Sequence, residues 1–188
     1  MLGALIMHII VISDTHDNLA MIDRSSSLIF KLDPEMIIHL GDYVSPFTLR
    51  KILDLGIKFL GVFGNNDGDK LLLKFTLGGR GELHEPPYEL SIDGLKFLLI
   101  HGFGSRELTN KLVNSIASGG EYDLLLYGHT HIPRLEKVGN TVILNPGTLS
   151  GYLSELPTLA YIDTRELIPR ILNALTGDQI KYIKMHDT

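Results

Sequence analysis

The sequence predicts an α/β fold of two mixed β-sheets with helices on their outer faces. Three observations carry this. Five short apolar runs, too short for surface helices, read as strands buried on both faces: His8–Ile12, Met36–Leu40, Ile57–Phe63, Lys96–Ile100 and Leu124–Tyr127. Amphipathic stretches follow each of the first three, giving the β-α-β-α alternation that goes with parallel strands. Farther along, two hairpin signals add antiparallel pairs.

Taken in order, the first run leads into a helix over Asn18–Leu32, the second into Ser45–Leu55 and the third into Asp67–Phe75. Asn18, Ser45 and Asp67 stand where N-caps belong. Gly78, Gly79 and Gly81 form an incomplete phosphate-loop pattern behind a helix and read as a flexible connection. Tyr88–Ile92 and Leu95–Ile100 flank Asp93-Gly94, a tight hairpin turn. Ser105–Ser118 is the clear helix of this half. Arg134–Val138 and Thr141–Leu144 flank Gly139-Asn140 as a second hairpin, and Thr158–Asp163 is a further strand. Beyond Arg165 the pattern is mixed, because Pro169 interrupts a helix-like stretch.

The 188 residues suit one domain over 1–188, with Met1–Ile6 as a short leader before the first strand. Apolar residues at 44% and charged residues at 21% are those of a globular chain. The absence of Cys removes disulfides, thiolate nucleophiles and sulfur-ligated metals, and suits a reducing cytoplasm. A net charge of −5 argues against a broad grip on nucleic acid or anionic membrane. The apolar start is too short to span a bilayer and lacks the flanks of a signal peptide.

Each of the five runs ends in a polar cluster. They are Ser13-Asp14-Thr15-His16-Asp17-Asn18, Gly41-Asp42, Gly64-Asn65-Asn66-Asp67, His101-Gly102 and Gly128-His129-Thr130-His131. Ligands bind beyond the carboxyl ends of strands in such sheets, so Asp14, His16, Asp42, Asn65, His101, His129 and His131 are expected to face one cleft. Asp-x-His and His-x-His place two donors on one side of the chain. Three oxygen and four imidazole donors exceed one tetrahedral ion and suit two divalent ions sharing a carboxylate, for which Asp42 is the natural bridge. Any one Gly-Asp after an apolar run is ordinarily a turn, and Gly-His-Thr-His alone is as readily a loop. Five such clusters, in order and all at strand ends, are what the ordinary explanation does not supply. The remaining histidines have plainer expectations: His39 packs inside its strand, His8 opens one, and His84 and His186 lie in loop or tail.

The ordered set Asp14-x-His16, Gly41-Asp42, Gly64-Asn65-x-Asp67, His101 and Gly128-His129-Thr130-His131 resembles the signature of calcineurin-like metallophosphoesterases. With Asn145-Pro146-Gly147-Thr148 and the short chain, it is most similar to the small bacterial and archaeal phosphodiesterase subfamily. The resemblance implies a four-layer α/β/β/α sandwich. It implies one ion on Asp14, His16, Asp42 and His131 and another on Asp42, Asn65, His101 and His129. Mn²⁺ is the expected ion, with Ni²⁺, Co²⁺, Fe²⁺ or Zn²⁺ as alternatives. The implied activity is hydrolysis of P–O bonds in a small phosphodiester by a hydroxide held between the ions; a homodimer is also compatible. Many relatives carry His after the metal-binding Asn; here the position is Asn66, whose amide can donate a hydrogen bond to phosphate but no proton. Asp17 and Asp67 are candidates to orient a histidine or a loop. Three alternatives stay open: a phosphomonoesterase, a non-catalytic protein-binding scaffold of the same fold, as in the retromer subunit, and a metal-dependent hydrolase of another bond, since the same two-metal chemistry serves aminopeptidases.

Overall fold

The computed structural model describes residues 7–166 and 169–180. The expected leader at 1–6, the end of the tail and His186 lie outside the described residues. Among the described residues, eleven strands and four helices follow in the order β1 (His8–Ile12), α1 (Leu19–Lys31), β2 (Met36–His39), α2 (Pro46–Leu53), β3 (Lys58–Val62), α3 (Lys70–Leu77), β4 (Gly81–His84), β5 (Tyr88–Ile92), β6 (Leu95–Leu99), α4 (Arg106–Ser118), β7 (Leu124–Leu126), β8 (Arg134–Val138), β9 (Thr141–Asn145), β10 (Thr158–Asp163) and β11 (Arg170–Asn173).

They form two mixed sheets. One has the order β11-β10-β1-β2-β3-β4, the other β5-β6-β7-β9-β8. In the first, β1 to β4 are parallel, β10 runs antiparallel to β1 and β11 antiparallel to β10; in the second, β6, β7 and β9 are parallel between antiparallel edges. The period of two along each strand sorts side chains into layers. Ile9, Val11, Ile38 and Val62 meet Phe97, Leu99, Leu124 and Leu144 between the sheets. Ile10, Ile12, Ile37 and Phe59 turn the other way, onto Ile22, Ile29, Leu49, Ile52 and Leu73 of α1, α2 and α3. Leu98, Ile100, Leu125 and Ile143 pack on Val113 and Ala117 of α4. The result is the four-layer α/β/β/α sandwich, with the strands covered on both faces as their unbroken apolar runs require.

Four local expectations change. Helix α3 starts at Lys70 with Asp69 as its cap, accepting from the Leu72 N–H at 3.0 Å, while Asp67 is free for other work. Ser45 occupies the α2 cap position but gives its hydroxyl to Asp17 at 2.5 Å instead of accepting a backbone bond. The glycine-rich stretch is not a loose connection: Gly78 closes α3 in the left-handed conformation (φ 53°) and Gly81 opens edge strand β4. His84 ends β4, stacked on Tyr88 at 3.7 Å, and Pro169 immediately precedes β11.

Candidate active site

The ends of β1, β2, β3, β6 and β7 bring all seven sequence-predicted donors to one place. Asp14, His16, Asp42 and His131 have donor atoms mutually within 4.8 Å. Asn65 Oδ1 lies 3.0 Å from Nε2 of His101 and 2.8 Å from Nδ1 of His129. Asp42 joins the two groups, its Oδ2 being 3.6 Å from Nε2 of His16 and 3.4 Å from Nε2 of His101.

Backbone at the strand ends is bent sharply to achieve this. Asp14, His16, Asp42, His129 and His131 all have left-handed φ, between 42° and 66°. Such conformations are unfavourable for side-chain-bearing residues and persist where surroundings fix them. Glycine makes the approach possible at two points. A Cβ on Gly64 would collide with the Asp42 carboxylate, and one on Gly128 with the Ser13 hydroxyl.

Histidine tautomers follow from their partners. A carbonyl oxygen only accepts, so the nitrogen facing it carries the proton. His101 Nδ1 donates to the Leu40 carbonyl at 2.6 Å, His131 Nδ1 to Tyr152 at 2.9 Å, and His129 Nε2 to Gly104 at 2.7 Å. The second nitrogen of each neutral ring therefore presents a lone pair to the cluster, where it meets other acceptors. His131 Nε2 is 3.2 Å from both Asp14 Oδ1 and His16 Nε2. Asp14 Oδ1, fully buried, accepts no hydrogen bond.

So dense a set of acceptors needs positive charge. Burial would raise the Asp14 carboxyl, but His131, His16 and His101 hold it well below the usual carboxylate range. Burial likewise opposes ionisation of Asp42, and is outweighed by His101 and the Asn66 donors, so its pKa falls. Burial pushes His101 down, yet the bond to Asp42 and the charges of Asp14 and Asp42 carry it up to about 9. His131 is raised in the same way, burial being overcome by Asp14. Protons on these rings supply the charge that a divalent cation would supply instead. Oxygen and imidazole donors without sulfur, an orphaned carboxylate oxygen and carbonyl-fixed rings all fit such a cation.

The residues around the donors hold the loops. Asp67, which sequence reasoning named as a candidate to orient a loop, accepts the N–H groups of Gly64 at 2.6 Å, Val44 at 2.8 Å and Asp42 at 3.0 Å. Asp17 takes the hydroxyls of Ser45 and Thr48. Asn66 gives its backbone N–H to Asp42 Oδ1 and its amide to Oδ2, both at 2.8 Å, so here its amide is spent on a carboxylate. In the sequence, Asn145-Pro146-Gly147-Thr148 stands out only as a family marker. Asn145 in fact bonds the Gly128 carbonyl at 2.9 Å, and Thr148 bonds the Asp14 carbonyl at 2.8 Å. A polar residue ending a buried strand was the available signal for Asn145, whose partner is 17 positions away; Thr148 offered none, and its partner stands 134 positions away.

Removing the Asp67 carboxylate would strand three backbone donors, at about 1–3 kcal/mol each when buried. Asp67→Ala is therefore expected to lose about 3 kcal/mol or more of unfolding free energy, measured by urea denaturation of the metal-free protein. A loss within 0.5 kcal/mol, the level of an ordinary surface change, would contradict this role.

Comparison with known proteins agrees with this architecture. Residues 7–167 match the family described as the calcineurin-like phosphoesterase superfamily domain. Phosphodiesterase MJ0936 of Methanocaldococcus jannaschii is 34% identical over 162 residues, covering 85% of this chain and 95% of its own length. Phosphodiesterase YfcE of Escherichia coli is 26% identical over 161 residues, covering 77% and 80%. The solved structure of an archaeal phosphodiesterase superimposes with a TM-score of 0.79 at 32% identity, covering 88% of this chain and 99% of that one. Match length, identity and the clustered donors all lead to one assignment: the chain belongs to the calcineurin-like phosphoesterase superfamily.

Proposed function

We propose that the protein is a dinuclear metal-dependent phosphodiesterase acting on a small phosphodiester. The observation that carries this reading is the position of Asp42 Oδ2, within 3.6 Å of an imidazole nitrogen on either side. Asp14, His16, Asp42 and His131 would hold one ion, and Asp42, Asn65, His101 and His129 the other, with Mn²⁺ the first choice. When bound, such ions supply Lewis-acid charge and lower the pKa of water.

The chain's own residues do the rest. The Leu40, Tyr152 and Gly104 carbonyls fix ring orientation, so the second nitrogen of each ring already points at the cluster and a cation has only to displace its proton where it carries one. Asn66 steers both oxygens of Asp42. Residues 13–18, 41–45, 64–69, 101–105, 128–133 and 145–157, the loops that surround the donors, contain no Lys or Arg. They expose Val44, Phe103, Ile132, Tyr152, Leu153 and Leu156 instead. That rim suits a singly charged diester with organic substituents better than a dianionic monoester or a polyanion. A cytoplasmic setting and a homodimer belong to the same proposal.

Matched nitrophenyl mono- and diesters test it, using metal-depleted protein reconstituted with Mn²⁺, Ni²⁺, Co²⁺, Zn²⁺ or Mg²⁺. The wild type is expected to favour the diester in kcat/KM, because the rim offers a dianionic monoester no side-chain cation. Asn66→His is expected to narrow the gap at unchanged metal occupancy, since an imidazolium beside the phosphate attracts a dianion more than a monoanion. A wild type that favours the monoester would overturn the substrate assignment.

A further inference from the structure

His39 ends β2 with its side chain wholly buried, where an aliphatic residue would pack without polar groups to satisfy. Both ring nitrogens are nevertheless bonded. Nδ1 accepts the Gly41 N–H at 3.1 Å, which puts the proton on Nε2 and makes it the donor to Thr15 Oγ1 at 3.0 Å. The Thr15 hydroxyl in turn donates to the Asp42 carbonyl at 3.3 Å. A single directed chain thus runs from the Gly41 N–H through His39 and Thr15 to Asp42, joining the loop after β1 to the loop after β2. Tyr43 holds the ring, stacking at 3.9 Å and bonding the His39 carbonyl through its hydroxyl at 3.3 Å. Burial opposes protonation and pushes the imidazole down to about 3, so the ring stays neutral.

We infer that His39 and Thr15 form a positioning brace that sets Asp14 and His16 against Asp42 and thereby tunes divalent-metal affinity. This rests on the reading of those three residues as metal donors. The two loops need such a brace because Asp14, His16 and Asp42 each sit in left-handed backbone, with φ of 54°, 42° and 63°. Backbone bonds from Asp14 N to Gly41 O and from His16 N to Asp42 O, at 3.0 and 3.1 Å, fix the loops' register. The brace adds a side-chain link anchored in the sheet itself. Partners that orient metal donors typically change affinity about 10–100-fold when removed. A histidine that merely fills space would lower stability without touching affinity.

Calorimetric titration of metal-depleted protein with Mn²⁺ separates these roles, with melting temperature recorded alongside. Thr15→Val keeps the shape of the side chain and removes the link; it is expected to weaken Mn²⁺ binding about 10–100-fold. Thr15→Ser restores the hydroxyl and is expected to bind within a few-fold of wild type. His39→Gln keeps a donor for Thr15 but not the acceptor for Gly41, and is expected to fall between wild type and His39→Leu. The double variant Thr15→Val/His39→Leu is expected to bind no more weakly than the worse single variant, as for two members of one unit. Wild-type affinity in Thr15→Val with a lowered melting temperature would overturn the brace, as would losses that simply add. Failure of the metal reading shows separately, as no Mn²⁺ uptake by the wild type, and removes the brace with it.

Discussion

Asp42→Ala is expected to abolish phosphodiester hydrolysis and to remove more than one equivalent of bound metal. Asp42 Oδ2 lies within 3.6 Å of imidazoles from both donor groups. Its loss also leaves the two Asn66 donors without an acceptor. Charge stabilisation by metals is worth several kcal/mol, so activity is expected to fall about 10³-fold or more. His129→Ala removes a donor from one group only and is expected to weaken one ion while leaving the other. Elemental analysis with steady-state kinetics measures both. Full metal content in the Asp42 variant would contradict a shared carboxylate.

Chelation is expected to lower the melting temperature and remove activity together, and the size of the thermal shift depends on pH. Ions that bind only the folded state stabilise it by mass action. In the metal-free protein His101 sits near 9 against 6.5 for an unperturbed ring. A raised histidine pKa adds stability that is complete below about 6.5 and lost as pH rises through 9. Metal binding runs the other way, because it needs His101 and His131 unprotonated and so strengthens across the same window. The gap in melting temperature between Mn²⁺-loaded and chelated protein is therefore expected to widen from pH 6.5 to pH 9. Scanning calorimetry at four or five pH values reads it directly. A gap that stays constant or narrows would argue against histidine donors.

The parts of the fold legible in the sequence are those whose physics is local. β1 was readable to the residue, because a strand covered on both faces is an unbroken apolar run. The Asp93-Gly94 and Gly139-Asn140 turns marked both hairpins. β4 and β11 were not readable. The first carries Glu82 and His84 on a sheet edge, the second follows Pro169, and neither has an apolar run to announce it. Pairing with β3 and β10 creates them, and pairing is not a property of the segment alone.

The site divides the same way. Its seven donors were visible because each follows a strand, so their ends had to meet once the sheets formed. The supports were only partly so. Asp67 fitted both the cap of α3 and a residue that orients a loop, His39 looked like a core residue, and Asn145 and Thr148 stood out only as marks of the subfamily. Their roles lie in bonds to other loops that reach as far as 134 positions along the chain, which no spacing rule exposes. Asn66 shows the limit from the other side: its identity was readable, but its engagement with Asp42 was not.

The proposed centre needs two divalent ions, sharing Asp42, for phosphodiester hydrolysis. Stepwise titration of metal-depleted protein with Mn²⁺, following bound metal and bis(p-nitrophenyl) phosphate hydrolysis in the same samples, separates it from a mononuclear site. Little activity is expected at one equivalent and a plateau at two. Full activity at one equivalent, or two bound ions without hydrolysis, would overturn the proposal.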